Sequence, residues 1–419
     1  MVHVHGASVQ QVSARTRGVP LEELVAVPVD VGKSTAAAMA CDFSGQVLVP
    51  AFEFRLNRAG VTELAARVEA RLPAATRLVR VGVEAAGHYD RPLLADRVLP
   101  VGWQVVELNP AWVTAQRRVN GSRGVKTDRV DLAAICDLLL AGRGHEVRAS
   151  VGALVELAAW VAHRRRRVLV RTATKNQLTG QVDRCFPGLG AVLSSVCDTK
   201  VGRLVIAEFS DPARLARLGV ARFRAFAAHR DVRVSTAVAT RLVDAARQAL
   251  PTAEAAVARQ VLAADLALLA DLDAQTAAAD ARIAAILPAT RYQVLTTVPG
   301  WGPLRAAGYG AAVGDPDRWP SARQIYRAAG LTPTQYESAG KRRDGGISRE
   351  GSVALRCALL DLGVGLWHSE PAARAYATRL RERGKPGGII ATAMARVAGR
   401  LAYAMVRDHT IYDPTQRRN

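Results

Sequence analysis

The first 150 residues alternate short apolar runs with turn-forming and amphipathic stretches, a pattern typical of an α/β domain. Three apolar runs, at 24–29, 35–41 and 47–54, predict strands, and residues 42–45 form a good hairpin turn between the second and third. Further elements follow in the order helix 61–72, strand from Leu78, helix 91–98, strand 103–108 and helix from Asp128. The predicted order is therefore βββαβαβα.

Beyond residue 150 the pattern becomes helical. Residues 153–187 and 251–287 predict two long helices that pair as an antiparallel hairpin or coiled coil, and 188–250 reads as a helical insert between them. A third region, with a different sequence pattern, begins at Tyr292. The prediction is a 1–150 α/β domain, a 151–290 helical connector and a 291–419 mainly α domain.

The net charge of the chain indicates which class of partner it binds. The chain has 57 Lys and Arg against 37 Asp and Glu, a formal net charge of +20, which favours a polyanionic partner such as nucleic acid. No run of eighteen apolar residues occurs, and the first residues lack the apolar core of a signal peptide, so we expect a cytoplasmic protein without a membrane partner. The five scattered cysteines, without a C-x-x-C pair, predict neither a disulfide framework nor a zinc site.

Four carboxylates in the first domain are candidates for metal-dependent chemistry. Asp30 and Glu84 end predicted strands, while Asp128 and Asp131 lie three apart at a helix start and share a face. Three or four carboxylates with substrate phosphates suit Mg²⁺, and two such ions clamp both oxygens of a phosphodiester. The alternative is that Asp128 only caps its helix and that the other acids are polar turn residues.

Basic residues of the connector predict contact with a nucleic-acid backbone. Four consecutive arginines point around most of a helix, so some must face whatever packs alongside. The candidates are Arg164, Arg165, Arg166, Arg167, Arg171 and Lys175. The alternative is an ordinary solvated helix face.

Two further segments in the third region predict phosphate contacts. Residues 294–307 resemble a helix-hairpin-helix, in which Gly300 and Gly302 let backbone N–H groups approach a phosphate; an ordinary helix–helix turn is the alternative. Ser338 is a candidate nucleophile because cations follow it closely, with Ser348 and Ser352 as rivals. The basic residues placed at the phosphate are Lys341, Arg342 and Arg349.

These motifs together resemble one family. Val-Asp30-Val-Gly-Lys, Gly-Val-Glu84-Ala-Ala-Gly-His-Tyr, Lys-Thr-Asp128-Arg-Val-Asp131, Val-Pro-Gly-Trp-Gly-Pro and Glu-Ser338-Ala-Gly-Lys-Arg are similar to segments of the insertion sequence 110 (Piv-type, DEDD) transposases. The resemblance spans nearly the whole chain. It implies a RuvC-like domain of the RNase H fold whose acidic tetrad binds Mg²⁺, or Mn²⁺ in its place, and a C-terminal transposase domain whose Ser338 attacks DNA.

The resemblance also implies partners. They are donor and target DNA, a structured noncoding guide RNA encoded by the element, and further copies of the chain in a dimer or tetramer whose subunits share the active site. The insert at 188–250 departs from the plainest family pattern and leaves the assembly geometry open.

Three other readings stay open. A hydrolytic RuvC-like nuclease would resolve junctions with metal and water alone, so that Ser338→Ala spares cleavage. An actin-like ATPase is suggested by Asp30-Val-Gly-Lys-Ser34, but the first glycine of a Walker motif is missing. A noncatalytic nucleic-acid scaffold would lose no activity when Asp30 or Asp128 is replaced.

Overall fold

The computed structural model describes residues 16–85, 87–95, 97–121, 124, 127–146, 152–338 and 340–415, apart from the side chains of Arg342 and Asp344. The predictions for the first residues therefore lie outside the described part. The chain divides into two compact units, Met1–Ala149 and Ser150–Asn419, and each is described by itself.

A mixed six-stranded sheet forms the centre of the first unit. Its strands are β1 (Leu24–Val31), β2 (Thr35–Cys41), β3 (Val47–Arg55), β4 (Leu78–Glu84), β5 (Gln104–Leu108) and β6 (His145–Glu146). The order across the sheet is β3-β2-β1-β4-β5-β6. Strands β1 to β3 pair antiparallel as predicted, β4 and β5 extend the sheet in parallel with β1, and β6 closes the edge antiparallel.

Three α-helices flank this sheet, each with a side chain that caps its start. They are α1 (Arg58–Glu69), α2 (Pro110–Val119) and α3 (Asp128–Leu140), and a 3₁₀ helix at Leu21–Glu23 precedes β1. Asn57, Asn109 and Thr127 each accept a hydrogen bond from a backbone N–H in the first turn of the helix that follows. The helix predicted at 91–98 is wrong, because the described residues there form turns, and α2 was not predicted.

Side chains alternate between the two faces of the sheet, as the pleat requires. On β1 and β4 the odd-numbered valines, such as Val29 and Val83, pack with α1 in one core. Even-numbered residues, such as Leu24 and Leu78, pack with Ile135 and its neighbours on α3 in the other core. The even positions of these strands therefore face α3.

Contacts near its carboxyl end hold α3 on the sheet. The buried Arg80 of β4 donates hydrogen bonds to the carbonyl oxygens of Leu139 and Arg143, each at 2.9 Å, which places a cation where the helix dipole is negative. A disulfide joins Cys41 of β2 to Cys136 of α3. The scattered cysteines predicted no disulfide framework, and this single bridge joins residues 95 positions apart, so spacing could not reveal it.

The second unit is mostly helical. Its helices are α4 (Ala153–Cys185), α5 (Leu189–Val192), α6 (Lys200–Glu208), α7 (Pro212–Ala228), α8 (Thr236–Gln248), α9 (Ala255–Ile286), α10 (Pro303–Val313), α11 (Ala322–Ala328), α12 (Val353–Ser369), α13 (Pro371–Glu382) and α14 (Gly387–Asp408). Short 3₁₀ helices cover Leu287–Ala289, Arg291–Thr297 and Pro316–Arg318. One hairpin, β7 (Pro333–Ser338) with β8 (Lys341–Ile347), interrupts the helices.

The two longest helices pair antiparallel, as the sequence predicts. Arg164 of α4 forms an ion pair with Asp280 of α9, and Arg171, seven positions further along α4, pairs with Asp273, seven positions earlier on α9. Helices α5 to α8 form the predicted insert between them, with its own core that includes Phe209, Phe223 and Leu242. Asp211 caps α7, and α7 kinks at Gly219.

A second core in this unit is built around α10, α12 and α14. Trp301 and Tyr309 are almost fully buried in it, and the Trp301 indole donates to the carbonyl of Leu362 at 2.8 Å. Helix α14 is long and apolar enough to cross a membrane by composition alone, with a hydropathy of 1.4. Its Met394, Ala395 and Ala398 are buried in this core, which is how the core helix of a globular unit passes the same test.

Candidate active site and nucleic-acid interface

Asp30 and Glu84 lie side by side at one end of the sheet. Strands β1 and β4 are parallel, with Val29 opposite Val83, and the two acids are the next residues along each strand. Neighbouring strands lie about 4.8 Å apart, so the carboxylates project from adjacent positions. Both residues are half-buried, and both occupy even positions, which face α3.

Asp128 and Asp131 occupy the first turn of α3, on the same side of the sheet. Asp128 is exposed, whereas Asp131 is only 1% exposed. The Asp131 carboxylate accepts a hydrogen bond from Arg117 of α2 at 2.6 Å, and the same guanidinium donates to the Thr114 hydroxyl at 2.9 Å. Thr127, rather than Asp128, caps the helix. The four predicted acids therefore share one face of the sheet, but a guanidinium already binds one of them.

The fit of this face to Mg²⁺ is partial. Among the described residues, no three or more His, Cys, Asp or Glu side chains come together in an arrangement that would hold a metal ion. The adjacent pair Asp30 and Glu84 fits a magnesium site that takes one or two carboxylates and completes its shell with water and substrate phosphate. Asp131 as it stands does not fit, because its charge is already matched by Arg117.

Ser338 is the last residue of β7, at the tip of the β7–β8 hairpin, and it is exposed. Lys341, the first residue of β8, lies directly opposite Ser338 in the register, so the two side chains share a face of the hairpin. The turn between them uses Gly340 at a φ of +74°, a conformation that glycine adopts without strain. The hydroxyl is thus presented to solvent beside a cation.

The two rival serines have structural roles. Ser352 is the N-cap of α12, and its hydroxyl accepts from the Leu355 N–H at 3.3 Å. The Ser348 hydroxyl accepts from the Glu350 N–H at 3.4 Å, within the segment that follows β8. Arg349 next to it is exposed at a φ of +57°, and its N–H bonds to the carbonyl of Gly330. The side chain of Arg342, also a predicted phosphate contact, lies outside the described part.

The basic residues of α4 have different surroundings: some form ion pairs with acids, and others are exposed. Arg164 and Arg171 are engaged by acids of α9. Lys175 pairs with Asp198 of the insert, and this hydrogen bond lowers the pKa of the Asp198 carboxyl. Arg165 and Arg166 are exposed, and Arg167 is half-buried. Three of the six basic candidates on α4 thus also hold the helices of this unit together. Arg165 and Arg166 remain open to solvent.

The Pro-Gly-Trp-Gly turn packs into the unit. A 3₁₀ helix rather than an α-helix precedes it, and α10 follows. A Cβ at Gly300 would lie 2.3 Å from the carbonyl oxygen of Gly365, so this glycine permits a close approach of the turn to α12. Gly302 is exposed, and a Cβ there would meet nothing within 4 Å. The Cβ position of Gly300 is therefore filled by α12, whereas that of Gly302 is open.

Sequence reasoning missed Arg117 and Arg80, which hold the two ends of α3. Arg117 belongs to a helix that was not predicted, and it lies 14 positions from its partner, outside helical spacing. Arg80 sits within a run of apolar residues, and an arginine at the centre of a β-strand was a signal that a buried acceptor must be present.

Two segments of the chain match models of known protein families. Residues 27–187 match the DEDD transposase model of IS110, and residues 292–378 match the model described as transposase IS116/IS110/IS902 family. The two matches lie in both compact units and together cover more than half of the 419 residues.

Several proteins of insertion elements resemble the chain. It is 27% identical over 292 residues to the 43.6 kDa protein of insertion element IS110 from Streptomyces coelicolor, covering 69% of this chain and 72% of that protein. The 44.8 kDa protein of insertion element IS116 from Streptomyces clavuligerus is 26% identical over 401 residues, covering 93% and 96%. A pilin gene-inverting protein of Moraxella bovis is 28% identical over 125 residues, covering 29% and 39%. The chain belongs to the IS110 family of insertion-sequence transposases, enzymes that recombine DNA.

Proposed function

We propose that this transposase cuts and rejoins donor and target DNA with a serine nucleophile at Ser338 and with Mg²⁺ held by acids of the first unit. The observation that carries the serine role is the position of Ser338, an exposed hydroxyl at a hairpin tip opposite Lys341. A cation beside the hydroxyl favours both a serine alkoxide and the negative charge of the transition state.

The proposed reaction balances as one bond made for one bond broken. The Ser338 oxygen attacks the phosphorus of a DNA phosphodiester, the bond from phosphorus to the 3′ oxygen breaks, and the 3′ oxygen leaves with a proton as a hydroxyl. A phosphoserine bond keeps the phosphoryl group activated. After strand exchange, a 3′ hydroxyl attacks that phosphorus, the serine oxygen leaves and the new DNA strand is joined.

The acids are proposed as the metal site of an RNase H-like domain. The sheet order, with three antiparallel strands followed by two strands parallel to β1, supports that fold assignment. Asp30 and Glu84 would hold Mg²⁺, or Mn²⁺, at the end of the sheet, joined by Asp128 and Asp131 from α3. When bound, the ion would supply a positive charge that polarises the phosphodiester. Asp131 can join only if it exchanges Arg117 for the metal.

The nucleic-acid partners are proposed from charge and exposure. A net charge of +20 suits a polyanion, and the exposed Arg165 and Arg166 on α4, Lys341 opposite the serine and Arg349 beyond the base of the hairpin are the side chains proposed to contact phosphates. A structured noncoding RNA that pairs with donor and target DNA is proposed as the guide. Self-association into a dimer or tetramer is proposed with it.

A covalent adduct tests the proposed chemistry. The purified protein is incubated with Mg²⁺, labelled donor and target DNA and RNA from the flanking sequence, and a denaturing gel separates protein-linked strands from free ones. We expect an adduct with the wild type, none with Ser338→Ala, and an unchanged adduct with the matched control Ser348→Ala. Cleavage without an adduct that survives Ser338→Ala would instead establish the hydrolytic nuclease.

The metal site is tested in the same assay. Asp30→Asn and Asp128→Asn should each abolish the adduct while circular dichroism stays that of the wild type, because each removes a proposed ligand charge. Full activity of Asp128→Asn would remove that residue from the metal site. Lys341→Ala should lower the adduct yield without loss of fold, and a wild-type yield would refute its place at the phosphate.

A further inference from the structure

A basic cavity in the helical insert has none of the proposed active-site residues in its lining. It has a volume of about 250 Å³ and is lined by Phe209, Arg214, Arg217, Leu218, Arg222 and Phe226. Three of its six lining residues are arginines, and none is acidic. Its ligand must therefore be anionic.

Among the residues that the structure describes, acidic side chains do not neutralise the arginines that line this cavity. Helix α7 carries arginines at 214, 217, 222 and 224 and no Asp or Glu. Other basic residues nearby are engaged: Arg230 pairs with Glu208 at 3.3 Å, and Arg224 donates to the carbonyl of Val234. In the described part of the chain, Arg217 and Arg222 have neither an ion pair nor a hydrogen bond from their side chains, and both are exposed.

A break in the helix brings these arginines together. On a straight helix, residues five apart point about 140° away from each other, so Arg217 and Arg222 would diverge. At Gly219 the backbone adopts φ 72° and ψ 172°, which is not helical, and α7 continues in a new direction. Arg214 and Arg217, three apart, share a face before this kink. The kink therefore lets Arg222 line the same cavity.

The apolar lining is aromatic. Phe209 is only 1% exposed, and the half-buried Phe226 lies 5.1 Å from it in an edge-on arrangement, with the Arg230 guanidinium 3.8 Å over the Phe226 ring. The Arg214 guanidinium lies over the Phe209 ring at 5.5 Å. Stacked guanidinium planes and aromatic rings are the surfaces on which unpaired bases stack, whereas a duplex keeps its bases inside. The cavity is open to solvent, and its volume of about 250 Å³ is small for a ligand pocket, which suits a group no larger than one nucleotide.

We propose that this cavity binds one nucleotide of a single-stranded nucleic acid, with Arg217 and Arg222 on the phosphates and the base stacked on the exposed plane of the Arg214 guanidinium. The site is separate from the proposed serine and metal chemistry. Its role is to hold a nucleic-acid strand on the insert while the chemistry takes place elsewhere on the chain. It also gives the insert, which the family resemblance leaves unexplained, a function.

Photocrosslinking of the full-length protein tests the site directly. Twelve-nucleotide single strands of RNA carrying 4-thiouridine and of DNA carrying 4-thiothymidine are irradiated with the protein, and a duplex of the same DNA is run beside them. Crosslinked peptides are then mapped by mass spectrometry. We expect adducts within residues 209–226 with a single strand, and the strand that gives them identifies the source as RNA or DNA.

Paired variants separate this site from other basic surfaces. Arg217→Ala with Arg222→Ala should lower the crosslink yield within 209–226 about tenfold and reduce the slope of log affinity against log salt by about 1.4, two single-strand phosphate contacts. The control, Arg241→Ala with Arg247→Ala, removes two exposed arginines of α8 outside the cavity and should leave the yield unchanged. Thermal unfolding verifies that both variants are folded.

Three results would overturn the proposal. They are the absence of adducts within 209–226 at saturating single strand, adducts there only with the duplex, or equal yields from the cavity variant and the wild type. None of them depends on transposition, so loss of Ser338 chemistry would leave this test unaffected.

Discussion

The pair formed by Arg117 and Asp131 decides how α3 is held, and its removal has a predictable cost. The Asp131 side chain is 1% exposed and the Arg117 side chain 16%, with 2.6 Å between guanidinium nitrogen and carboxylate oxygen. Replacing Arg117 by Met keeps most of the apolar stem but leaves a buried carboxylate without its cation. Breaking a buried pair in this way costs about 3–5 kcal/mol.

Two features of the site moderate that cost. Asp131 lies in the first turn of α3, where the helix dipole stabilises a negative charge by about 0.3–1 kcal/mol. Arg117 is not fully buried, so water can reach part of the vacated space. We therefore expect Arg117→Met to destabilise α3 by about 3 kcal/mol, at the lower end of the range.

Hydrogen exchange measures this locally, which suits a chain of two units whose global unfolding need not be two-state. In EDTA, amides of residues 128–140 should lose about a hundredfold in protection in Arg117→Met, since each 1.4 kcal/mol is a factor of ten. The double variant Arg117→Met with Asp131→Leu replaces the pair by apolar groups and should recover most of the protection. Protection within threefold of the wild type, or additive single effects, would refute a buried ion pair.

The same variant tests the proposed metal role of Asp131. Without Arg117, the carboxylate is available to Mg²⁺, and an ion that binds only the folded state at a hundred times its dissociation constant restores about 2.7 kcal/mol. Mg²⁺ should therefore return protection to residues 128–140 in Arg117→Met but not in the double variant. No response to Mg²⁺ in either would make Asp131 a structural residue and limit the proposed ligands to Asp30, Glu84 and Asp128.

Three further predictions concern packing and pH. Gly82→Ala should cost about 1–3 kcal/mol by overpacking, since a Cβ would lie 2.7 Å from Leu139 of α3, and wild-type hydrogen exchange of α3 would contradict this. Gly300→Ala should lower the Tm of the second unit through its positive φ and its clash with Gly365, whereas Gly302→Ala should leave the Tm unchanged; equal effects would refute the assignment of Gly300 to packing. Burial raises the pKa of the Asp273 carboxyl, but the ion pairs with Arg171 and Arg203 outweigh burial, so this pKa lies below its ordinary 3.8. The stabilisation by the ionised Asp273 is complete above that value and is lost as the pH falls below it. The urea midpoints of the wild type and Asp273→Asn should therefore converge in acid, and a constant difference down to pH 2 would refute the pairing.

Much of the fold could be predicted because most of its strands and helices are determined by residues within a short window of the sequence. The three antiparallel strands, the strand ending at Glu84, the helix starting at Asp128 and the two long helices all follow from periodicity and caps in short windows. The turns at 91–98 were mistaken for a helix because Leu94 and Val98, four positions apart as on a helix face, pack against the core from a loop. Tertiary contacts overrode the local pattern.

The candidate site shows the same division between local and distant information. That Asp30 and Glu84 are neighbours follows from two strand ends and a parallel register, and alternation then fixes the face they occupy. What the sequence cannot supply is the partner that each charge finds across the fold. Asp131 has the spacing of a metal ligand and the environment of a buried ion pair, and both follow from its place on α3: a helix start that faces the sheet is where a carboxylate can meet a metal or a guanidinium. Because Arg117 can hold Asp131 when no ion is bound, the arginine would keep the carboxylate in place, and exchange of one cation for the other would couple metal binding to the contact between α2 and α3.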